Sequence, residues 1–414
     1  MKSGQWLRGL LVGLVVLAVS VPASAAVTLL EKDGMTVSTD AFFNTFYVYS
    51  SSDKNSAWEN AVDADGNSIA ADRDQSRVKM GFLPNYIGFN FSKQLDTMTV
   101  GGRSSFWVTI NDSEENVTET GIDVRQFYGT VEGDWGQVLI GKDFGLFCRS
   151  NIFLDEILQG YGNVSDTLGL IDGGGVSFGN IGTGYIYPFP NAQITYRSPV
   201  MAGFRLAIGI VDPAHTSDFN GAAIPEESAP QFQGELTYLY SFDKGSVTAW
   251  AGFLQQTSED ASDNTDNEVD SKGVSYGIQA KYAGLTLHAS GFDASGVGLL
   301  LGPGVDSTLG LPLVEANFSE ADSSGYLLQA AYTTGPHRLV ASYGKTKLDK
   351  AFAGFDDDDN SLSADWENET VTGAYFYTFN DYLKVVAEYN VNTIEIGDLE
   401  EETKTIALGA IISF

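Results

Sequence analysis

The chain has 414 residues and a formal net charge of −31 at pH 7, because 54 acidic residues outweigh 23 basic ones. Binding to the phosphate backbone of a nucleic acid requires a basic surface, so this composition argues against nucleic acid as a partner. The single cysteine, Cys148, excludes an intramolecular disulfide framework.

The first 25 residues have the features of a secretory signal peptide. Lys2 and Arg8 form a positive region, residues 9–21 form an apolar run, and residues 23–25 (ASA) supply a cleavage site. We therefore expect an exported mature chain that comprises residues 26–414 as one domain. The apolar run is shorter than the roughly 18 residues of a membrane-spanning helix, and no later segment is long and apolar enough to span.

The mature chain is rich in glycine and aromatic residues and poor in proline, which favours many strands joined by tight turns. Aromatic-rich or alternating segments predict about sixteen strands. In chain order these are residues 35–50, 85–93, 97–110, 121–132, 135–143, 191–198, 203–211, 231–242, 246–257, 273–282, 285–292, 324–334, 338–347, 365–379, 382–394 and 403–414.

The gaps between these strands alternate between long polar segments and very short turns. An even number of strands with this alternation is typical of a transmembrane antiparallel β-barrel that has short periplasmic turns and long external loops. Closure of such a barrel leaves no strand edge and no unpaired backbone group in lipid. We therefore predict an all-β fold, a barrel of about sixteen strands in the cell outer membrane.

The last strand has one continuous apolar face, which is formed by residues Ile406, Leu408, Ala410, Ile412 and Phe414. By itself this pattern fits either a core strand of a β-sandwich or a barrel strand that faces lipid. A terminal phenylalanine after alternating apolar residues also resembles the assembly signal of bacterial outer-membrane barrels. The resemblance implies that the outer-membrane barrel assembly machinery reads this strand.

Most predicted strands have one apolar face and one polar face, as a barrel between lipid and water requires. Residues 273–282, for example, place Val274 and Tyr276 on one face and Gln279 on the other. The strand at 121–132 departs from the pattern, because Gln126 and Thr130 share a face with apolar residues. We expect that face to be covered by a neighbouring barrel in an oligomer.

Two motifs point to a family. Residues 191–199 (NAQITYRSP) and 202–204 (AGF) resemble a conserved hairpin of Gram-negative general porins. Residues 125–136 (RQFYGTVEGDWG) and 140–142 (IGK) are similar to the strand pair that precedes the constriction loop in those porins. The resemblance covers the organisation of the whole mature chain, but its specific motifs lie within 125–204 and at the C-terminus.

The resemblance implies a homotrimer of barrels, in which the longest loop, residues 144–190, folds inward and narrows each pore. In general porins, acids on this loop face a basic wall across the constriction. The matching acids here are Asp155, Glu156, Asp166 and Asp172. The candidates for the basic wall are Arg103, Arg125, Lys142, Arg197 and Arg205.

This chain departs from the family pattern at two positions that are often basic, where it has Tyr86 and Phe189. The thinner basic wall, together with acidic loops, predicts a channel for small hydrophilic solutes and ions that prefers cations. The alternative is that the loop acids are solvated far from the constriction and that ion selectivity is weak. The expected surroundings are the lipid bilayer and lipopolysaccharide, and we expect no cofactor, metal site or enzymatic activity.

Other functions are compatible with a barrel. A substrate-selective channel would have aromatic residues along the lumen or a basic constriction. An outer-membrane hydrolase would need a Ser/His or Asp/His group near the outer rim, for which His215 and His288 are candidates only by residue type. An adhesin would have a blocked lumen.

Overall fold

The computed structural model describes residues 26–60, 71–112, 122–164, 179–180, 183–213, 225–260, 268–297, 320, 322–355 and 361–414. Within these residues the chain forms nineteen strands, a five-residue helix and a 3-10 turn. The predicted signal peptide lies outside the described residues. No helix in the described part is long and apolar enough to cross a membrane.

The strands belong to a single sheet. In chain order they are β1 (Val27–Lys32), β2 (Met35–Lys54), β3 (Arg73–Lys79), β4 (Asn85–Gln94), β5 (Thr99–Val108), β6 (Ile122–Gly133), β7 (Gly136–Phe144), β8 (Pro190–Arg197), β9 (Phe204–Val211), β10 (Pro225–Glu226), β11 (Gln231–Phe242), β12 (Gly245–Asp260), β13 (Glu268–Tyr282), β14 (Leu285–Ser295), β15 (Asp322–Thr334), β16 (His337–Phe355), β17 (Ser361–Thr378), β18 (Leu383–Ile396) and β19 (Leu399–Ser413). The helix α1 is Arg149–Phe153, and the 3-10 turn is Ser56–Asn60.

Sixteen of these strands form a closed antiparallel ring, because β9 pairs with β11 and β19 pairs with β2. The predicted barrel and its strand number are therefore confirmed. Phe414 lies at the closure, where its amide and carbonyl both hydrogen-bond to the backbone of Ala41. Strands β1, β3 and β10 are additional short pieces that pair with β2 or β12 beside the ring. The sequence analysis did not predict them, because their segments are short or polar.

The outer surface of the ring is apolar. On β13, Val274, Tyr276 and Ile278 are exposed, whereas Ser275 and Gln279 are buried in the lumen. The same alternation continues on β19, where Ile406, Leu408 and Ile412 are exposed and their neighbours Thr405 and Ile411 are buried. This arrangement agrees with the expected contact of alternate residues with lipid.

A bulge corrects the interpretation of the strand at 121–132. The pairing of β5 with β6 shifts between Ser105 and Trp107, so that β6 contains one extra residue there. As a consequence Arg125 and Gln126 are both buried, and Phe127 is exposed. The expectation that the Gln126 face would lie outside was wrong, because Gln126 alternates with the outward Phe127, and the bulge places Arg125 on the lumenal side beside it.

Candidate functional site

The described residues of the segment between β7 and β8 enter the lumen and lie along the opposite wall. Its first backbone amides are bound by a side chain of β11, because Gln233 Oε1 accepts hydrogen bonds from Leu146 N at 2.6 Å and from Phe147 N at 3.0 Å. Glu235 on the same strand accepts a hydrogen bond from Ser150 N at 3.0 Å. These contacts fix the entry of the loop and helix α1 against the wall.

The single cysteine lies in this entry segment. Cys148 is fully buried, and its backbone amide donates to Ser275 Oγ on β13 at 3.3 Å. Burial raises the pKa of the Cys148 thiol to about 12. The thiol therefore stays protonated at neutral pH and is a packing group, since the thiolate is the reactive form.

The middle of the loop is held by two acids that the sequence analysis singled out. Asp155 accepts hydrogen bonds from Gln329 at 2.6 Å, Asn180 at 2.7 Å and the Tyr185 hydroxyl at 3.2 Å. Glu156 is paired with the guanidinium of Arg338 on β16. Both acids are buried and are directed toward the barrel wall that the loop contacts. Asp166 and Asp172 lie outside the described residues.

Burial has an electrostatic consequence for Asp155. Loss of hydration raises the pKa of the Asp155 carboxyl above its usual range, although its hydrogen bonds oppose that shift. Burial also raises the pKa of the Tyr185 hydroxyl well above its ordinary value. Tyr185 therefore remains a neutral donor to Asp155.

The part of the loop that follows Asp155 and Glu156 is bound by β18. The buried Glu388 carboxylate accepts hydrogen bonds from Tyr161 N at 2.9 Å and from Gly162 N at 2.8 Å. Lys384 on the same strand donates to the side chain of Gln159 at 2.9 Å. The described part of the loop is thus attached to the wall at its entry and at several points further along the chain.

Four of the five predicted wall residues face the lumen, and carboxylates contact three of them. Arg103 donates to both carboxylate oxygens of Asp40, at 2.7 and 2.9 Å. Arg125 pairs with Asp123 at 2.7 Å. Arg197 and the loop residue Arg149 both lie 3.3 Å from Asp143. The fourth, Arg205, is directly opposite Thr237 in the β9–β11 pair, on the same face as the buried Ala207.

Arg125 has the most enclosed position of the four. Its side chain is 1% exposed, and its guanidinium lies 5.3 Å from the ring centre of Trp107 and 5.8 Å from that of Tyr187. Aromatic rings continue from this point along the lumen, because Phe144 packs edge-to-face on Phe153 at 5.1 Å. The wall here is therefore a mixture of aromatic rings and paired arginines.

Lys142 does not line the pore. It is directly opposite Phe127 on β6 and Ala192 on β8, and both of those residues are exposed on the outer surface. Residues that are opposite each other in an antiparallel pair share a face. The register of β7 therefore places Lys142 on the outer surface of the barrel, which disagrees with its predicted position.

Several residues that hold the loop were not among the sequence candidates. They are Gln233, Glu235, Gln329, Arg338, Lys384 and Glu388. Each is a polar residue on the lumenal face of a strand. The alternation of polar and apolar residues in the sequence is enough to predict that face. The sequence does not show which of the many lumenal polar residues meet the loop.

A family model described as Gram-negative porin matches residues 13–395. The chain belongs to the Gram-negative porin family. A search of curated proteins finds no match. Membership of this family and the closed barrel together show that this porin crosses the outer membrane with its β-strands.

Solved porin structures share the fold. The outer membrane channel DcaP of Acinetobacter baumannii is 17% identical, with a TM-score of 0.68 over 94% of this porin and 100% of that chain. The anion-selective porin from Comamonas acidovorans is 12% identical, with a TM-score of 0.59 over 92% of this porin and 100% of that chain. A trimer form of in-vitro folded OmpT from Vibrio cholerae is 15% identical, with a TM-score of 0.50 over 92% of this porin and 100% of that chain.

Proposed function

We propose that this porin is a homotrimeric channel that passes small hydrophilic solutes and ions by diffusion and prefers cations. The pairing of the lumenal arginines carries the cation preference. Asp40, Asp123 and Asp143 contact the arginines of the wall, and Glu156 contacts Arg338. These carboxylates offset part of the positive charge that the wall presents to a permeating ion.

The net charge of the chain also supports a preference for cations. With a formal charge of −31, the protein produces a negative potential that raises the local concentration of cations. Permeation through a water-filled pore depends on its radius and on the charges along it, and requires no covalent chemistry. The docked loop supplies the narrow region where such charges act at short range.

A salt gradient across a planar bilayer tests the preference. We expect a reversal potential of the sign that indicates cation selectivity. Asp40→Asn removes the partner of Arg103 and should shift the potential toward anions. Asp53→Asn, which removes the same charge from the exposed contact with Lys404, is the matched control and should shift it less. Anion selectivity of the unmodified protein would refute the proposal.

The homotrimer is supported by family membership and by the trimer form of the OmpT structure. Contact with lipopolysaccharide is supported by ion pairs on the outer surface of the long strands, such as Lys345 with Glu367 at 2.7 Å. Recognition by the barrel assembly machinery is supported by the apolar face of β19, which ends at Phe414.

A substrate-selective channel is the second candidate, and the aromatic part of the lumen favours it. Phe153 and Phe189 are only partly buried there, and the Arg149 guanidinium lies 5.1 Å from the ring centre of Phe153. Stacking of this kind would retain solutes that carry an aromatic ring. Concentration-dependent block of the ion current by an aromatic solute, lost in Phe153→Ala, would favour this candidate.

A catalytic function has weaker support. His288 Nε2 lies 2.9 Å from Ser290 Oγ, but both residues are buried in the lumenal wall. A hydrolase needs its nucleophile and base open to the substrate. His215 lies outside the described residues. We therefore propose a channel rather than an enzyme.

A further inference from the structure

Several strands carry a basic residue on the lumenal face at their periplasmic end. The second residue of β9, β16 and β18 is basic, the last residue but one of β13 is basic, and β8 ends with an arginine. We name these residues the basic arc, and they are Arg197, Arg205, Lys281, Arg338 and Lys384. With about 3.3 Å per residue, each lies within about 7 Å of the end of its strand.

Strand alternation places the basic arc inside the pore. Lys281 is two residues from the buried Gln279, and Lys384 is two residues from the buried Val386. Side chains two positions apart in a strand share a face. Arg338 contacts the constriction loop within the barrel. The arc therefore lines the periplasmic mouth of the pore.

The basic arc covers one side of this mouth. Its strands lie between β8 and β18 in the ring, whereas β6, on the other side, has the acidic Glu132 at the equivalent position. Only β17 separates β16 from β18, so the backbones of Arg338 and Lys384 are about 10 Å apart across the sheet. Their long side chains can therefore meet at one anion.

Three members of the basic arc have no acidic partner within the described part of the chain. Arg205 and Lys281 form no ion pair there, and Lys384 donates at 2.9 Å to the neutral side chain of Gln159. The other two members pair with acids. The Nε of Arg205 is also buried and finds no hydrogen-bond acceptor among the described residues. An unsatisfied donor costs free energy, which an added acceptor would recover.

Acidic residues of the periplasmic turns do not cancel the charge of the basic arc. Asp134, Asp243 and Asp381 lie in these turns, outside the lumen. Salt screens exposed charges beyond about 8 Å at physiological ionic strength. Charges that line a cleft of one sign between low-dielectric walls act together on an approaching ion. The arc therefore reverses the sign of the charge locally, in a chain whose formal charge is −31.

The constriction loop separates the basic arc from the outer mouth of the pore. The members of the arc are the last lumenal residues before the periplasmic turns, so the loop reaches them from the outer side. Glu156 contacts Arg338, and Gln159 contacts Lys384. An anion from the periplasm thus meets the arc directly, whereas one from outside must first pass the constriction.

We propose that the basic arc binds multivalent oxyanions, namely phosphates and polycarboxylates that enter from the periplasm, and that such an anion blocks the channel from that side only. Guanidinium and ammonium groups bind phosphate and carboxylate oxygens through charge-assisted hydrogen bonds. A multivalent anion contacts two members of the arc at once, whereas chloride contacts one. The inference rests on the proposed channel, because an open pore is what the anion blocks.

Block of the ion current by pyrophosphate tests the proposal. The anion is added to one chamber of a planar bilayer at a time, in dilute salt because screening weakens the interaction. We expect block from one chamber only, and several-fold weaker block in Arg205→Gln/Lys281→Gln, which leaves the loop contacts of the arc intact. Lys345→Gln, which removes a lysine from the outer surface, is the matched control and should be blocked like the wild type. Absence of block, equal block from both chambers, or undiminished block in the double variant would overturn the proposal.

A second measurement decides the question if the double variant does not insert. Thr286 is directly opposite Lys281 on the lumenal face. Thr286→Cys in a Cys148→Ser background is modified with an anionic and with a cationic methanethiosulfonate reagent. We expect the ratio of the anionic to the cationic rate to fall several-fold when Lys281→Gln is added, and an unchanged ratio would overturn the inference. Protein that conducts no ions would instead refute the proposed channel, and this outcome is separate from a conducting pore that pyrophosphate does not block.

Discussion

Arg125 on the barrel wall donates a hydrogen bond of 2.7 Å to the hydroxyl of Tyr187 in the returning part of the constriction loop. The same guanidinium pairs with Asp123, which lies two residues earlier on β6. Arg125 thus joins the wall to the loop near its exit, at the opposite end from the contacts with Gln233. Arg125 was predicted to line the pore, but its guanidinium is buried between the rings of Trp107 and Tyr187 and attaches the loop to the wall.

Replacement of Arg125 should destabilise the loop and the barrel around it. Arg125→Ala removes the partner of Asp123, whose side chain is 33% exposed, and opens a cavity beside Trp107. The lost charge-assisted hydrogen bond contributes about 1.5–3 kcal/mol. We expect a lower midpoint of urea unfolding and noisier single-channel currents. Arg125→Lys keeps the charge but not the planar contacts, so it should be intermediate. Wild-type behaviour of Arg125→Ala would contradict this role.

Removal of the Glu388 carboxylate should release the part of the loop around Tyr161 and Gly162. Two backbone amides donate to this group, and a hydrogen bond of this kind contributes about 0.5–1.5 kcal/mol. We expect Glu388→Ala to produce frequent current fluctuations in single-channel recordings, with Glu388→Gln less affected because one acceptor oxygen remains. Asn390→Ala is the control, because Asn390 lies on the same face of β18 but is hydrogen-bonded to Thr372. This variant should show no increase in current fluctuations.

Loop docking should depend on pH through Asp155. Its pKa is raised by burial, so between about 3.9, the ordinary value for aspartate, and the raised pKa the docked loop binds more protons than a released loop. The stability of docking therefore falls as pH rises through the raised pKa and is greatest below the ordinary one. We expect current noise to increase with pH in the wild type. The increase should be smaller in Asp155→Asn, and an equal increase in both would contradict the assignment.

The strands were predictable because lipid on one side and water on the other impose alternation on each of them. Residues 273–282 show this in the sequence, and β13 confirms it with Val274 outside and Gln279 inside. The bulge in β6 was not predictable, because the break that it makes in the alternation cannot be told from an ordinary polar residue on an apolar face. That bulge explains why the neighbours Arg125 and Gln126 both face the lumen.

The contacts of the loop were predictable only in part. The sequence predicted that Asp155 and Glu156 lie on the constriction loop, but their partners Gln329 and Arg338 lie more than 170 positions later in the chain. Closure of the barrel brings those strands to the loop, and no local pattern encodes that pairing. The outward position of Lys142 likewise depends on the register of β7 with β6 and β8, which its local sequence does not reveal.

Deletion of Phe414 should impair assembly far more than conduction. The backbone of Phe414 exchanges hydrogen bonds of 2.9 and 3.1 Å with Ala41, and its ring lies 6.3 Å from that of Phe43. These contacts are at the outer surface where β19 meets β2, away from the loop and the lumenal arginines. We therefore expect a large loss of protein from the outer membrane, with wild-type conductance in the barrels that do form. Phe414→Tyr keeps the ring and the backbone contacts and should assemble nearly normally. Normal membrane levels of the deletion variant, measured on the same blot as Phe414→Tyr, would show that the barrel closes without this residue.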